Sequence, residues 1–131
     1  MTEPRGTLMI VERAYRGAVE SQFADVLNCL RELHRQSGGI EVALRGLAAS
    51  YALRSTFTAA MRLAGTEVDT LSDPHAVLSQ LLRDGVPVWV ERPDLDALGQ
   101  SAPGRLLPGV RCLPCNGLVA RWAGYERVWF M

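Results

Sequence analysis

The sequence contains no lysine, and its fourteen basic residues other than histidine are all arginine. Lysine forms the Schiff bases of one class of enzymes and contacts the phosphates in Walker-type loops. Both kinds of site are therefore excluded. The sequence also lacks the Gly-x-Gly-x-x-Gly motif of dinucleotide-binding proteins and the Gly-x-Ser-x-Gly motif of serine hydrolases. We accordingly predict no cofactor.

Long apolar runs and an excess of charge are also absent. No stretch approaches the ~18–20 apolar residues of a membrane span, and the opening residues MTEPRGTLMIVE carry too short an apolar segment for a signal peptide. The formal net charge is zero, which disfavours nucleic acid and anionic membranes as partners. The three cysteines are odd in number, which, without an export signal, favours a reducing compartment. We expect a cytoplasmic protein.

The clearest local pattern is a helix, a turn and a strand between Asp73 and Asp96. Asp73 occupies an N-cap position and Pro74 the first helical position, a pair that starts helices. Asp84-Gly85 ends the helix, because glycine tolerates the left-handed backbone there. The apolar run that follows, VPVWV, is typical of a buried parallel strand.

The rest of the chain continues this alternation. Further strands of the sheet are predicted at residues 7–12, 40–45, 67–71 and 127–131, and helices at 18–36, 46–65 and 116–124. Residues 110–112 are a candidate for a short additional strand in the loop before the last helix. Alternating strands and helices indicate parallel pairing through crossover helices. We predict one α/β domain over residues 1–131, with a three-layer flavodoxin-like fold and a mostly parallel five-stranded sheet in the order 2-1-3-4-5. The alternating apolar and charged stretch 40–45 is expected nearer an edge of that sheet.

Charged and aromatic residues follow the predicted strands. In an open α/β sheet, ligands bind beyond the carboxyl ends of the strands. Arginine beside carboxylate could bind a polar or anionic ligand there, or could form ordinary surface ion pairs. The candidate ligand-binding residues are Glu12, Arg13, Tyr15, Arg16, Arg45 and Glu91.

The pair Cys112-Leu113-Pro114-Cys115 is the most specific chemical motif. A Cys-x-x-Cys pair can form a reversible disulfide or carry sulfur, or it can be two partly buried cysteines in a loop. A zinc site needs four ligands, and the chain offers only Cys29, His34 and His75 in addition; we predict no metal site. Cys29 lies between leucines of the long predicted helix, and we expect it to be a buried small hydrophobe.

Three stretches resemble the DsrE/DsrF/DsrH family, small α/β proteins of bacterial sulfur relay: VALRGLAASYAL, LLRDGVPVWVE and LVARWAGYERVWFM. Together they span nearly the whole chain. The resemblance implies sulfur carriage as a cysteine persulfide, assembly into oligomers, and a sulfur-carrying cysteine after the fourth strand. The matching position here is Glu91, so the sequence departs from the family at the residue that carries the chemistry.

Two hypotheses follow. The first is a persulfide carrier or sulfurtransferase that uses Cys112 and Cys115 as catalytic residues and exchanges sulfur with sulfur-carrier proteins. The second is a non-catalytic binding or assembly subunit on the same fold, with Glu91 in place of the sulfur cysteine. The final strand RVWFM would expose an apolar edge that invites a neighbouring chain, so we expect a homo-oligomer in either case.

Overall fold

The structure is a computed structural model that describes residues 5–12, 22–54, 61–68 and 74–131. The strands are β1 (Arg5–Val11), β2 (Ile40–Leu44), β3 (Met61–Leu63), β4 (Thr66–Val68), β5 (Val88–Glu91), β6 (Arg111–Leu113) and β7 (Tyr125–Phe130). The α-helices are α1 (Gln22–Ser37), α2 (Pro74–Arg83), α3 (Arg92–Asp96) and α4 (Gly117–Arg121). Short 3-10 helices lie at Gly46–Ala52, Pro103–Arg105 and Trp122–Gly124. None of the helices in these ranges is long and apolar enough to cross a membrane.

Five strands form one parallel sheet in the order β6-β5-β2-β1-β7. Both faces of the sheet are covered, which is why its inner strands are nearly continuous apolar runs. One face packs against the buried leucines of α1 and α2, namely Leu27, Leu30, Leu78 and Leu81. The other face carries Leu8, Ile10, Ala43 and Trp89, which pack with Leu118 and Tyr125. The predicted α/β fold class is confirmed.

The strand order differs from the predicted one because β2 lies between β1 and β5 rather than near an edge. The charged residue that suggested an edge position is Glu41. Its carboxylate accepts hydrogen bonds from Trp89 Nε1 at 2.7 Å and from the Tyr125 hydroxyl at 2.9 Å. A satisfied carboxylate can occupy a central strand, so the alternation of the sequence did not mark an edge.

The predicted helix over residues 46–65 is wrong. Gly46–Ala52 is a 3-10 helix, and Leu53 then forms an isolated antiparallel bridge with Leu106. After residues 55–60, which lie outside the described ranges, β3 and β4 form an antiparallel hairpin separate from the main sheet. The hairpin turn is Ala64-Gly65, with φ of 50° and 79°, as two-residue hairpin turns require.

This hairpin also contains the described part of the strand predicted at 67–71, which therefore does not join the parallel sheet. The small residues that suggested a helix serve a different purpose: Ala48, Ala49 and Ala52 are buried against the sheet. A 3-10 helix that packs closely against a sheet needs small side chains at the contact. Because those positions hold alanine, the sequence does not show the stripe of large apolar residues that marks an amphipathic α-helix.

The elements around these segments agree with the prediction. The helix that begins at Pro74, the short strand around Cys112, the last helix and the final strand are all present. β7 occupies an edge of the five-stranded sheet, beside β1. Cys29 is a correction, because it is exposed rather than buried. The packed face of α1 is formed by residues such as Leu27 and Leu30, and Cys29 lies about 100° away from Leu30 around the helix.

Candidate functional site at the carboxyl edge of the sheet

The carboxyl ends of four parallel strands lie side by side and bring several charged residues to one edge. Glu12 follows β1 and Arg45 follows β2, and Arg45 Nη1 lies 3.5 Å from Glu12 Oε1. The Arg45 backbone N–H also donates to the Val11 carbonyl at 2.9 Å. Both side chains are substantially exposed, so the pair contributes little to stability. The arrangement leaves Arg45 at the edge, where it also lines the crevice described below.

Glu91 at the end of β5 is turned toward β6. Its Oε1 accepts the backbone N–H of Asn116 at 2.9 Å. Asn116 has φ of 61°, a left-handed conformation that asparagine adopts more readily than most residues. The carboxylate of Glu91 thus restrains the backbone immediately after Cys115.

The turn that carries Cys115 is fixed from two further sides. The Gly117 N–H donates to the Pro114 carbonyl at 2.9 Å, which closes a turn with Cys115 and Asn116 at its centre. A Cβ at Gly117 would lie 2.8 Å from the Cβ of Leu113, so only glycine fits there without a shift of the backbone. The turn at residues 114–117 is therefore held in one position relative to β6.

Both cysteines of the motif are exposed and neither is in a disulfide. Cys112 is the middle residue of β6 and pairs in register with Val90, while Cys115 lies two residues beyond the last residue of that strand. The thiol of Cys115 is therefore presented at the carboxyl edge of the sheet. The alternative of two partly buried cysteines in a loop does not fit, because both are exposed and Cys112 lies in β6.

The space between Arg45 and Glu91 is small. A crevice that is also lined by Leu113 and Leu118 separates them, and it is too narrow to admit a water molecule. Arg92 turns away and pairs with Asp96 at 3.0 Å. Of the proposed ligand-binding residues, Glu12, Arg45 and Glu91 lie along this edge, whereas Arg13, Tyr15 and Arg16 lie outside the described residues.

A polar cluster around Glu41 lies on the face of the sheet that carries Trp89 and Tyr125. The sequence did not reveal it as a site. Besides its bonds to Trp89 and Tyr125, Glu41 lies 3.9 Å from a terminal nitrogen of Arg121. The guanidinium carbons of Arg121 and Arg111 lie 4.0 Å and 5.2 Å from the centroid of the Trp89 ring, within cation–π range. The isolated acid in the stretch IEVALR was the available signal.

Resolved pKa shifts lie away from this edge, on α1 and α2. A hydrogen bond from Arg35, followed by one from Gln36, lowers the pKa of Glu32. A hydrogen bond from Gln80, and a weaker contribution from Arg31, lowers the pKa of Asp84. Within the described ranges, no three His, Cys, Asp or Glu side chains are grouped closely enough to hold a metal ion.

Comparison with solved structures identifies the fold of the chain. No protein-family model matches the sequence, and no curated protein matches it either. The structure is similar to that of the ychN protein from E. coli, with a TM-score of 0.69 and 18% sequence identity over 97% of this chain and 99% of that one. The chain has the DsrE-like fold.

A second solved structure agrees. It is a protein of unknown function, MTH1491 from Methanobacterium thermoautotrophicum, with a TM-score of 0.63 and 16% identity over 94% of this chain and 96% of that chain. At these identities the likeness concerns the fold alone. The activity has to be argued from the residues at the carboxyl edge.

Proposed function

We propose that this protein is a small sulfur-relay protein that carries sulfur as a persulfide on Cys115. The observation that supports the proposal best is the exposed, free thiol of Cys115 at the carboxyl edge of the sheet. Glu91, at the position where the family resemblance implies a cysteine, supports the turn that presents this thiol. The sulfur-carrying cysteine would thus follow β6, whereas the family resemblance implies a cysteine at the end of β5. The thiols must stay reduced, which fits a cytoplasmic location.

The transfer step needs no cofactor. The thiolate of Cys115 attacks the outer sulfur of a donor persulfide, R–S–SH, and forms a new S–S bond while the donor S–S bond breaks. The products are the Cys115 persulfide and the donor thiolate R–S⁻, so the step moves one neutral sulfur atom without net oxidation. An acceptor thiolate then attacks the outer sulfur of Cys115 by the same reaction and releases the Cys115 thiolate.

Cys112 is the second thiol of the motif and would act after loading. Attack of its thiolate on the inner sulfur of the Cys115 persulfide would form a Cys112–Cys115 disulfide and release hydrosulfide, HS⁻. This path discharges the carrier when no acceptor protein is bound. Its product is a protein two hydrogen atoms lighter than the reduced form, which mass spectrometry distinguishes from the persulfide.

Loading can be tested by mass spectrometry of the folded protein after incubation with polysulfide. The test uses the Cys112→Ala background, because discharge to the Cys112–Cys115 disulfide cannot occur there. In that background we expect a mass increase of one or more sulfur atoms both with Cys29 intact and in Cys29→Ala, and no increase in Cys115→Ala. Cys29 is the matched control because it is also an exposed free thiol but lies on α1. Sulfur that remains on Cys115→Ala, or that disappears from Cys29→Ala, would refute the assignment.

The role of Glu91 can be tested separately. Glu91→Ala removes the acceptor of the Asn116 N–H, and we expect slower loading of Cys115 because the turn is less restrained. Glu91→Gln keeps an oxygen acceptor and should load at nearly the wild-type rate. Equal rates for both variants would show that the bond to Asn116 does not position the thiol.

A second candidate function, an assembly subunit, is favoured by β7. This edge strand exposes Trp129 and Phe130 to 51% and 54%, and the Phe130 ring packs edge-on against Trp122 at 5.9 Å. Exposed aromatic residues on a strand edge are suited to pairing with another chain. We propose that the protein forms a homo-oligomer through β7, in which it would bind other sulfur-carrier proteins without carrying sulfur itself.

Light scattering over a range of concentrations tests this assembly. We expect a mass above that of one chain for the wild type, and dissociation in Trp129→Ser and Phe130→Ser. Val119→Ser is the control, because Val119 is an equally exposed apolar residue on α4 rather than on β7. A wild-type mass equal to one chain at every concentration would contradict the proposal.

A further inference from the structure

The short helix α4 continues the chain from the turn that carries Cys115, and it packs against β5. It begins at Gly117, directly after that turn, and ends at Arg121. With five residues, it is shorter than the ~12–15 residues below which isolated helices are marginal in water. Its position, and that of the turn before it, must therefore come from contacts with the rest of the fold.

The solvent side of α4 gives it no such support. Val119 and Ala120 are both exposed. Leu118 is the buried residue of α4, and it packs on the face of the sheet that carries Trp89. A helix attached at a single buried residue can still rock about that residue, so further contacts are needed to fix its direction.

Two side chains of β5 supply these contacts. Glu91 accepts the backbone N–H of Asn116 at the start of α4, at 2.9 Å. The ring of Trp89 receives the guanidinium of Arg121 at the end of α4, with 4.0 Å between the guanidinium carbon and the ring centroid. Residues two apart on a strand face the same side, so β5 holds both ends of the helix from one face. The spans agree, because two residues of strand rise about 6.6 Å and five residues of helix about 7.5 Å.

The surface that receives Arg121 is itself fixed. Trp89 is buried, and its indole N–H donates to Glu41 Oε1 at 2.7 Å. The same carboxylate oxygen lies 3.9 Å from Nη2 of Arg121, so the guanidinium has an aromatic face below it and a negative charge beside it. Cation–π contacts are stronger when they are desolvated, and the Arg121 side chain is only 24% exposed. The contact can therefore hold the end of α4 in place.

The burial of Arg121 also has a cost. Its Nε is buried and has no hydrogen-bond partner in the described part of the chain, and an unsatisfied buried donor lowers the free energy of unfolding. An arginine that pointed into water would avoid this loss. Because proteins accept such losses chiefly at functional sites, the buried position of Arg121 favours a role beyond stability.

We infer that Arg121 is a positioning residue for Cys115. By holding the end of α4 on Trp89, it keeps the cysteine turn in the orientation that Glu91 restrains from the other end. The thiolate is then presented to a donor sulfur in one orientation, which speeds its attack. This role rests on the proposed sulfur relay, whereas the attachment of α4 at two points can be tested without sulfur.

The rate of polysulfide loading tests the role, with the Cys112→Ala protein as the parent. Arg121→Gln should load Cys115 about fivefold more slowly than the parent, because it loses one partly desolvated cation–π contact. Arg121→Lys retains the cation but not the planar guanidinium, and it should load about twofold more slowly. Arg111→Gln is the matched control, because Arg111 also lies over Trp89, at 5.2 Å, but belongs to β6 and not to α4. It should load at the parent rate.

Hydrogen exchange measures the attachment of α4 directly. The Asn116 amide, which Glu91 accepts, should exchange about fivefold faster in Arg121→Gln than in the parent. The amide of Val42, which is bonded to the Pro87 carbonyl in the central sheet, is the reference and should change less. A merely structural role of Arg121 would instead speed the exchange of both amides alike.

The outcomes distinguish the inference from the sulfur relay on which it rests. Unchanged loading or unchanged Asn116 exchange in Arg121→Gln overturns the inference and leaves the sulfur relay standing. Equal changes in Arg111→Gln, equal acceleration at Val42, or loading of Arg121→Lys as slow as that of Arg121→Gln overturn it as well. A parent that takes up no sulfur refutes the sulfur relay, and Asn116 exchange then still decides whether Arg121 holds α4.

Discussion

The substitution Glu41→Ala tests whether the polar cluster holds the sheet together. The Glu41 carboxylate is only 15% exposed and links β2 to Trp89 on β5 and to Tyr125 on β7. Removing it leaves the buried indole N–H of Trp89 without this acceptor, which costs about 1–3 kcal/mol, and it also removes a hydrogen bond from Tyr125 to a charged group, worth about 1.5–3 kcal/mol. Because such contributions overlap, we expect a loss of about 3 kcal/mol in the free energy of unfolding.

Urea denaturation followed by tryptophan fluorescence measures this loss. With a slope of about 2 kcal/mol per molar urea, the midpoint should fall by about 1.5 M at unchanged slope. Glu41→Gln retains one oxygen acceptor and should lose only about 1 kcal/mol. A double-mutant cycle with Trp89→Phe should show coupling, because both changes remove the same bond. A Glu41→Ala variant within about 0.5 kcal/mol of the wild type would refute the reasoning.

Two further predictions concern the surface and the cysteine turn. The pKa of Asp84 is lowered in the folded state from its ordinary 3.8, first by Gln80, so its stabilising effect is fully present above that value and is lost as the pH falls through the lower folded pKa. Acid unfolding of Asp84→Asn should therefore show a shallower loss of stability below about pH 4 than the wild type, and identical acid titrations would contradict it. Gly117→Ala places a Cβ 2.8 Å from that of Leu113, and we expect about 1–3 kcal/mol of destabilisation in chemical denaturation. Slower polysulfide loading of Cys115 should accompany it, and unchanged stability and loading would show that the turn adapts freely.

Local patterns in the sequence predicted the elements with strong start and stop signals. Pro74 and Gly85 bound α2 as expected, because proline has a fixed φ that suits the first helical turn and glycine tolerates the left-handed conformation that follows the last turn. The order of the strands was not predictable in the same way. It depends on Glu41 meeting Trp89 and Tyr125, which are 48 and 84 positions away, and periodicity within one strand contains no information about such partners.

The candidate site likewise has some features that were predictable from the sequence and others that were not. The strand ends that carry Glu12, Arg45 and Glu91 were predictable, because parallel strands bring their carboxyl ends to one edge. The direction of the Glu91 side chain was not, since it is set by the left-handed backbone of Asn116 in a turn that the sequence marks only by Gly117. The exposure of Cys29 was missed because neighbouring positions on a helix point about 100° apart.

The pairing of β7 with β1 has a consequence for biosynthesis. Thr7 lies opposite Arg127, so the first strand receives this neighbour only after 120 further residues have been made. At ~5–20 residues per second, the ribosome needs roughly 6 to 24 s to supply it. During that interval the apolar strand Leu8–Val11 lacks its β7 partner, and an unpaired strand can add to other nascent chains. The synthesis of β7, rather than the formation of the first helices, then sets the moment at which this sheet is complete.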